Sequence, residues 1–120
     1  MSDEQLLFLL QNLVDSIDGV RSAAIVSTEG FIAHSILEEG LSDLKIAAMT
    51  ATIISVAERV LVELKSGNLD LCILQGDEGN FIVMQAGSDL ILALCLDMDA
   101  RMDTCFIEMR KTSEQIKSFY

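Results

Sequence analysis

Proline and tryptophan are absent from this 120-residue chain, which also carries only one histidine, one tyrosine and seven glycines. With 51% apolar residues, that lack of chain-breaking residues argues against intrinsic disorder. Basic residues are scarce as well: eight Lys and Arg against 19 Asp and Glu leave a formal charge of −11. Nucleic-acid binding is excluded on that balance, because phosphates need a basic footprint. The aromatics (Phe8, Phe31, Phe81, Phe106, Phe119, Tyr120) are scattered, which removes a base-stacking platform too. The same charge is repelled by an anionic membrane surface. The longest apolar runs, residues 6–10 and 90–96, fall far short of the roughly 20 residues that span a bilayer. No basic segment leading to a small-residue cleavage site opens the chain, so a cytoplasmic protein with no direct membrane insertion is expected.

Residues able to carry chemistry are equally sparse. Cys72, Cys95 and Cys105 are odd in number, widely spaced and set among apolar neighbours. They read as reduced thiols filling small core positions, and the lack of any CxxC pair leaves zinc or a redox couple unsupported. His34 is the sole histidine, so one chain cannot build a multi-histidine metal site, and a His-based triad would need that one residue. Its place in a short strand reads as structural or surface. Asp97, Asp99, Asp103 and Glu108 loosely echo a calcium loop, but Met102 stands where the turn needs glycine and Arg101 where it needs a ligand. Acidic residues favoured at a helix start explain them better, as they explain Glu38, Glu39 and Asp43. Gly76-Asp77-Glu78-Gly79 lacks the Lys-Ser/Thr ending of a phosphate loop and leads into a strand, so it is a hairpin turn. For Arg21, Arg59, Arg101 and Arg110, an arginine finger lent to a partner's nucleotide site and plain surface charge both stay open. No catalytic, metal or cofactor-binding residue is assigned, and an enzyme is not expected.

What is present is periodic. Ser2 to Gln5 fits a capping box, and Leu6, Leu9, Leu10, Leu13, Val14 and Ile17 recur at helical spacing until Asp18-Gly19. Residues 20–27 and 31–36 read as a hairpin around Thr28-Glu29-Gly30. Ser42 caps a long helix over residues 43–65, closed by Ser66-Gly67-Asn68. Strands follow at 69–75, 80–86 and 90–96, and a last helix starts near Asp97 or Asp99, burying Met102, Cys105, Phe106, Met109, Ser113 and Ile116. The fold class is α+β, one domain over residues 1–120, in the order α-β-β-α-β-β-β-α. Layer logic gives a five-stranded antiparallel sheet, with the long helix on one face and the terminal helices on the other.

The long helix is apolar over too wide an arc for one surface. Met49, Ile53, Val56, Ala57, Val60 and Leu64 share a face with Ile46, while Ala47 and Ala51 form a second, small-residue ridge. The polar arc is narrow: Lys45, Thr52, Ser55, Arg59 and Glu63. Such a helix packs on two surfaces.

Residues 18–33, beginning Asp18-Gly19-Val20 and turning at Thr28-Glu29-Gly30, resemble the opening of the roadblock / dynein light-chain family. Leu61-x-x-Leu64-x-x-Gly67-x-Leu69 is similar to its middle section, and Gly87-Ser88-Asp89-Leu90 to its turn into the fifth strand. The resemblance covers nearly the whole chain. It implies a profilin-like or longin-like fold and a non-catalytic dimerisation module that binds and regulates small Ras-like GTPases. In family dimers the third strands pair edge to edge and the long helices lie side by side. Carried onto this chain, the expected interface comprises Ala47, Ala51, Ile54, Glu58, Leu61, Leu69, Leu71 and Ile73. The expected partner-binding set is Lys45, Thr52, Ser55 and Arg59. The partners implied are a small Ras-like GTPase and either a second copy or a second roadblock protein. A small-molecule sensor with an apolar pocket between sheet and helix, or a structural light-chain-type subunit, is the alternative on the same fold. The charge of −11 adds that the partner's docking surface is neutral or basic.

Overall fold

The computed structural model describes residues 3–118. The elements run α1 (Asp3–Ser16), β1 (Val20–Ser27), β2 (Ile32–Ile36), α2 (Asp43–Glu63), β3 (Leu71–Gln75), β4 (Asn80–Gln85), β5 (Leu90–Leu96) and α3 (Met102–Lys117). That is the expected order. The capping role expected of Ser2 lies outside the described residues.

All strand pairs are antiparallel, in the spatial order β2-β1-β5-β4-β3. The central strand β5 shows why both faces are apolar. Leu90, Leu92, Leu94 and Leu96 join Ala23, Ile25, Ile82 and Met84 in the larger core, covered by Leu6, Leu10 and Leu13 of α1 and by Cys105, Met109 and Ile116 of α3. Ile91 and Ala93 alternate to the opposite face with Ala24, Val26 and Val83, beneath Ala47 and Ile54 of α2. A period of two in the strands thus feeds two separate cores.

The helix ends carry local reasons. The Lys45 N–H donates to Ser42 Oγ at 3.3 Å, as an N-cap residue should receive it. Gly19 ends the α1 turn with φ 93°, a backbone conformation that glycine adopts at no steric cost. Helix α3 departs from expectation: Asp97 and Asp99 precede it, and it begins at Met102 with Arg101 at the N-cap and no side-chain cap. Asp97 instead lies 3.5 Å from the Arg21 guanidinium. Asp103 is the one acidic residue in the first turn; it accepts from the Thr104 N–H at 2.9 Å and pairs with Arg101. Four strand and helix limits are also tighter than expected, β2 beginning at Ile32, β3 beginning at Leu71, β4 ending at Gln85 and α2 ending at Glu63.

The two cores differ in cover. Helices α1 and α3 together blanket one face, whereas α2 lies closest to β1 and β2, at the far side of the sheet from β3. The half of that face over β4 and β3 is left without a helix.

Candidate protein-interaction surface

Helix α2 presents its faces the opposite way round from the expectation. The small-residue ridge is the side turned inward: Ala47 is 1% exposed, Ile54 3% and Thr50 1%. The reason is close approach. Gly30, at φ 96° in the β1–β2 turn, sits so near α2 that an added Cβ would lie 3.7 Å from both the Ala48 Cα and the Ala51 Cβ. Small residues there let the hairpin turn and the sheet come up against the helix backbone. Ala47 and Ile54 are therefore spent inside the subunit and do not belong to an outer surface; that part of the expected interface is corrected. Of the bulky face, Ile46 and Ile53 are half-buried, whereas Met49, Val56, Val60 and Leu64 point outward and are exposed.

The remaining expected interface residues divide. Ala51 and Leu61 are half-buried, and Glu58 is exposed with its carboxylate accepting from Gln85 Nε2 at 3.1 Å. Leu69 and Leu71 are half-buried against the two cores. Ile73 is open, as is its neighbour Leu74, which the expectation omitted. Strand β3 is an edge of the sheet and has no charged residue from Leu71 to Gln75. Asp70, just outside it, is clamped by both Arg110 guanidinium nitrogens of α3, at 2.7 and 2.6 Å. Hydrogen bonding to Arg110 is the main cause that holds the Asp70 carboxyl below its ordinary pKa.

Between the outward stripe and the uncovered sheet lies a cleft of about 460 Å3. Ile46, Met49 and Ile53 form its helix wall, Leu74, Phe81 and Cys95 its floor, and Leu41 its rim. Arg21 stands at one end, where its Nη2 donates to Cys95 Sγ at 3.5 Å and its Nε lies 4.0 Å from Glu38. The hydrogen bond to Cys95, with the nearby acidic charges, keeps that guanidinium's pKa above its ordinary value. The expectation of buried cysteines holds fully only for Cys105, whose thiol burial pushes up and leaves inert. Cys72 and Cys95 are half-buried on the α2 side of the sheet.

The expected partner-binding residues lie on the solvent side of α2. Lys45, Thr52, Ser55 and Arg59 are all exposed. Three of them converge, because Thr52, Ser55 and Arg59 line a groove of about 370 Å3 with Glu29, Gly30, Ala48 and Ala51, and Val56 of the outward stripe borders it. Lys45 stands apart from it. His34, read as structural or surface, is half-buried on β2, its Nε2 4.0 Å from Asp3. Among the described residues no three His, Cys, Asp or Glu side chains gather closely enough to hold a metal ion. No helix among them is long and apolar enough to cross a membrane.

This arrangement, a five-stranded antiparallel sheet with one long helix over half a face, has counterparts among known proteins. The Roadblock/LC7 domain model matches residues 6–96. The chain belongs to the Roadblock/LC7 domain family. A roadblock domain from Streptomyces avermitilis superposes with a TM-score of 0.87 at 19% identity, covering 93% of this chain and 94% of that one. MglB from Myxococcus xanthus superposes with a TM-score of 0.92 at 12% identity, covering 98% and 89%. In sequence, the uncharacterized protein MJ1340 of Methanocaldococcus jannaschii is 23% identical over 103 residues, 86% of this chain and 90% of the relative. These likenesses establish the roadblock fold.

The sequence places Met49, Val56, Val60 and Leu64 on one apolar face without marking it as the exposed one, and it does not single out Leu74. A signal for them existed. A helix that lies against a sheet floored by Ala24 and Ala93, with a turn glycine beside it, has its small residues at the contact. The bulkier stripe is then the one left over.

Proposed function

We propose that this roadblock domain is a non-catalytic, cytoplasmic adaptor that forms a homodimer and binds a small Ras-like GTPase. The observation that carries the reading is the outward apolar stripe of α2, which is separated from a bare β3 edge by an open apolar cleft. Monomeric proteins rarely leave that much contiguous apolar surface in water. A second copy related by a two-fold axis covers all three features at once, because stripe, cleft and edge recur on each subunit. In this arrangement the long helices run side by side over a sheet that continues from one subunit into the other. The Thr52-Ser55-Arg59 groove then remains on the solvent side as the GTPase surface, with Lys45 beyond it.

The test is titration of the purified chain with a small Ras-like GTPase in its GTP-bound state, followed by single-turnover GTP cleavage. Binding that Arg59→Glu weakens at least about tenfold, roughly 1.4 kcal/mol, supports the groove assignment. Cleavage altered by the chain marks a regulator, and unaltered cleavage with binding marks a scaffold. No binding to any GTP-loaded member tested removes the GTPase reading. Electrostatics add a check: with a charge of −11 on this chain, binding to a basic partner surface weakens as salt rises and binding to a neutral one is unchanged, whereas binding that strengthens with salt contradicts both.

The apolar cleft supports a second reading, a sensor of apolar small molecules. Native mass spectrometry separates the two, since a copurifying ligand favours the sensor and its absence from an intact dimer favours the adaptor.

A further inference from the structure

The four arginines of the chain fall into two kinds. Arg21 Nε lies 3.5 Å from Asp97 and 4.0 Å from Glu38. Arg101 donates to Asp103 through Nη2 at 2.9 Å and Nε at 3.4 Å. Arg110 grips both Asp70 oxygens, at 2.7 and 2.6 Å. A guanidinium held in such charge-assisted contacts has its donors spent, and the carboxylate it holds repels any phosphate that approaches. Arg59 is of the other kind. Among the described residues no carboxylate comes within 4.0 Å of its guanidinium. Glu63, one turn along α2, and Glu29, on the β1–β2 turn, line the same surface and still leave it unpaired. With 19 acidic residues against eight basic ones, an arginine that no acid claims is the exception.

Its setting suits a phosphate. Arg59 is exposed, and with Ser55, one turn before it on α2, it lines the groove of about 370 Å3. The Thr52 hydroxyl beside them donates to the Ala48 carbonyl at 2.8 Å, so its proton is already used. Ser55 and Arg59 are the donors left to a visitor. A guanidinium stays charged at every pH a protein meets, and its planar fork of five N–H donors matches phosphate oxygens. We propose that Arg59 is an arginine finger, entering the nucleotide site of a bound small GTPase and touching the γ-phosphate of its GTP. The inference rests on the GTPase reading above.

The chain keeps no reaction of its own, since nucleotide and water both belong to the partner. In the cleavage step the water oxygen bonds to the γ-phosphorus, and the bond from that phosphorus to the β–γ bridging oxygen breaks. The bridging oxygen keeps the electron pair and leaves as part of GDP. Of the two water protons, one stays on the released phosphate and one passes to solvent. Negative charge on the bridging and γ-oxygens must be stabilised as the bond breaks, and a guanidinium fork beside them does so.

The experiment takes the full chain with a GTPase that it binds in the titration above. It reads three things: single-turnover cleavage of GTP, affinity for the GTPase loaded with a non-hydrolysable GTP analogue, and complex formation with the GDP form plus aluminium fluoride, which mimics the transferring phosphoryl group. Circular dichroism checks the fold of each variant. The parent is expected to speed cleavage at least about a hundredfold and to capture the aluminium fluoride form. Arg59→Ala and Arg59→Lys are both expected to return cleavage to the intrinsic rate and to lose that capture, with affinity for the analogue-loaded form changed less than about threefold. Arg101→Ala, which removes a charge already paired, is expected to keep the acceleration. Acceleration that survives Arg59→Ala, or that Arg101→Ala removes equally, overturns the finger. A loss of affinity in Arg59→Ala as large as its loss of rate makes Arg59 a docking contact and overturns it too. Binding with a smaller acceleration by the parent overturns the finger and leaves the adaptor standing. A chain that binds no GTPase removes the GTPase reading and the finger with it.

Discussion

Replacing Val56 and Val60 together by glutamate separates an interface face from a core face. The two side chains remain 43% and 48% exposed in the single chain. Full burial of a valine is worth roughly 2 kcal/mol, so the portion still open amounts to about 1 kcal/mol each. Two residues on each of two subunits give about 4 kcal/mol of association lost, before the cost of placing four carboxylates in an apolar contact. That corresponds to a rise of roughly 10^3 in the dimer Kd. The fold is expected to persist, because neither side chain belongs to the core over which α2 lies. Sedimentation equilibrium across the micromolar range reads the Kd, and urea denaturation of the monomeric variant reads the fold. Two results would refute the reasoning. An unchanged dimer Kd shows that the stripe is not the interface, and a variant that fails to fold shows that the stripe is core after all.

Ile54→Ala, by contrast, empties a fully packed site and is expected to lower stability by about 2–4 kcal/mol in urea denaturation; a loss below about 1 kcal/mol contradicts the inward placement. Gly79→Ala sets a Cβ 2.9 Å from the Leu96 carbonyl and against the Arg21 guanidinium. A loss of about 1–3 kcal/mol is expected from that overpacking, read as a lower thermal midpoint. Asp70→Asn tests the Arg110 clamp through pH. The folded Asp70 pKa is depressed, so its contribution is present above the unfolded value of about 3.9 and disappears as pH falls through the lower folded value. The variant is therefore expected to be less stable than the parent at pH 7, with a gap that narrows as pH falls below the unfolded value, and a gap that widens on acidification contradicts the sign.

Element order was legible because each element carries its own period. The alternating leucines of β5 and the Leu6-Leu10-Leu13 spacing of α1 admit one reading each. Ser42 and Gly19 mark helix ends by local chemistry that tertiary contacts do not override. The start of α3 was misplaced because Asp97 carries two signals: an acidic residue suits a helix start, but here it faces Arg21 across the sheet end. Helix α2 failed differently. Its two apolar stripes are both long enough to cover a sheet, and hydropathy alone ranks the bulkier one as core. What decides the matter is distance between backbones, set by Gly30 in the turn and the alanines on β1 and β5. No single-helix pattern contains that information. The partner-facing residues were legible as polar, but the gathering of Thr52, Ser55 and Arg59 into one groove depends on Glu29 and Gly30 from a different element.

The most direct measurement is the solution mass of the unmodified chain, by size exclusion with light scattering at micromolar concentration. A two-fold adaptor built on the outward stripe of α2 and the β3 edge has a mass of 2 × 13.1 = 26.2 kDa. A strict monomer of 13.1 kDa would contradict it.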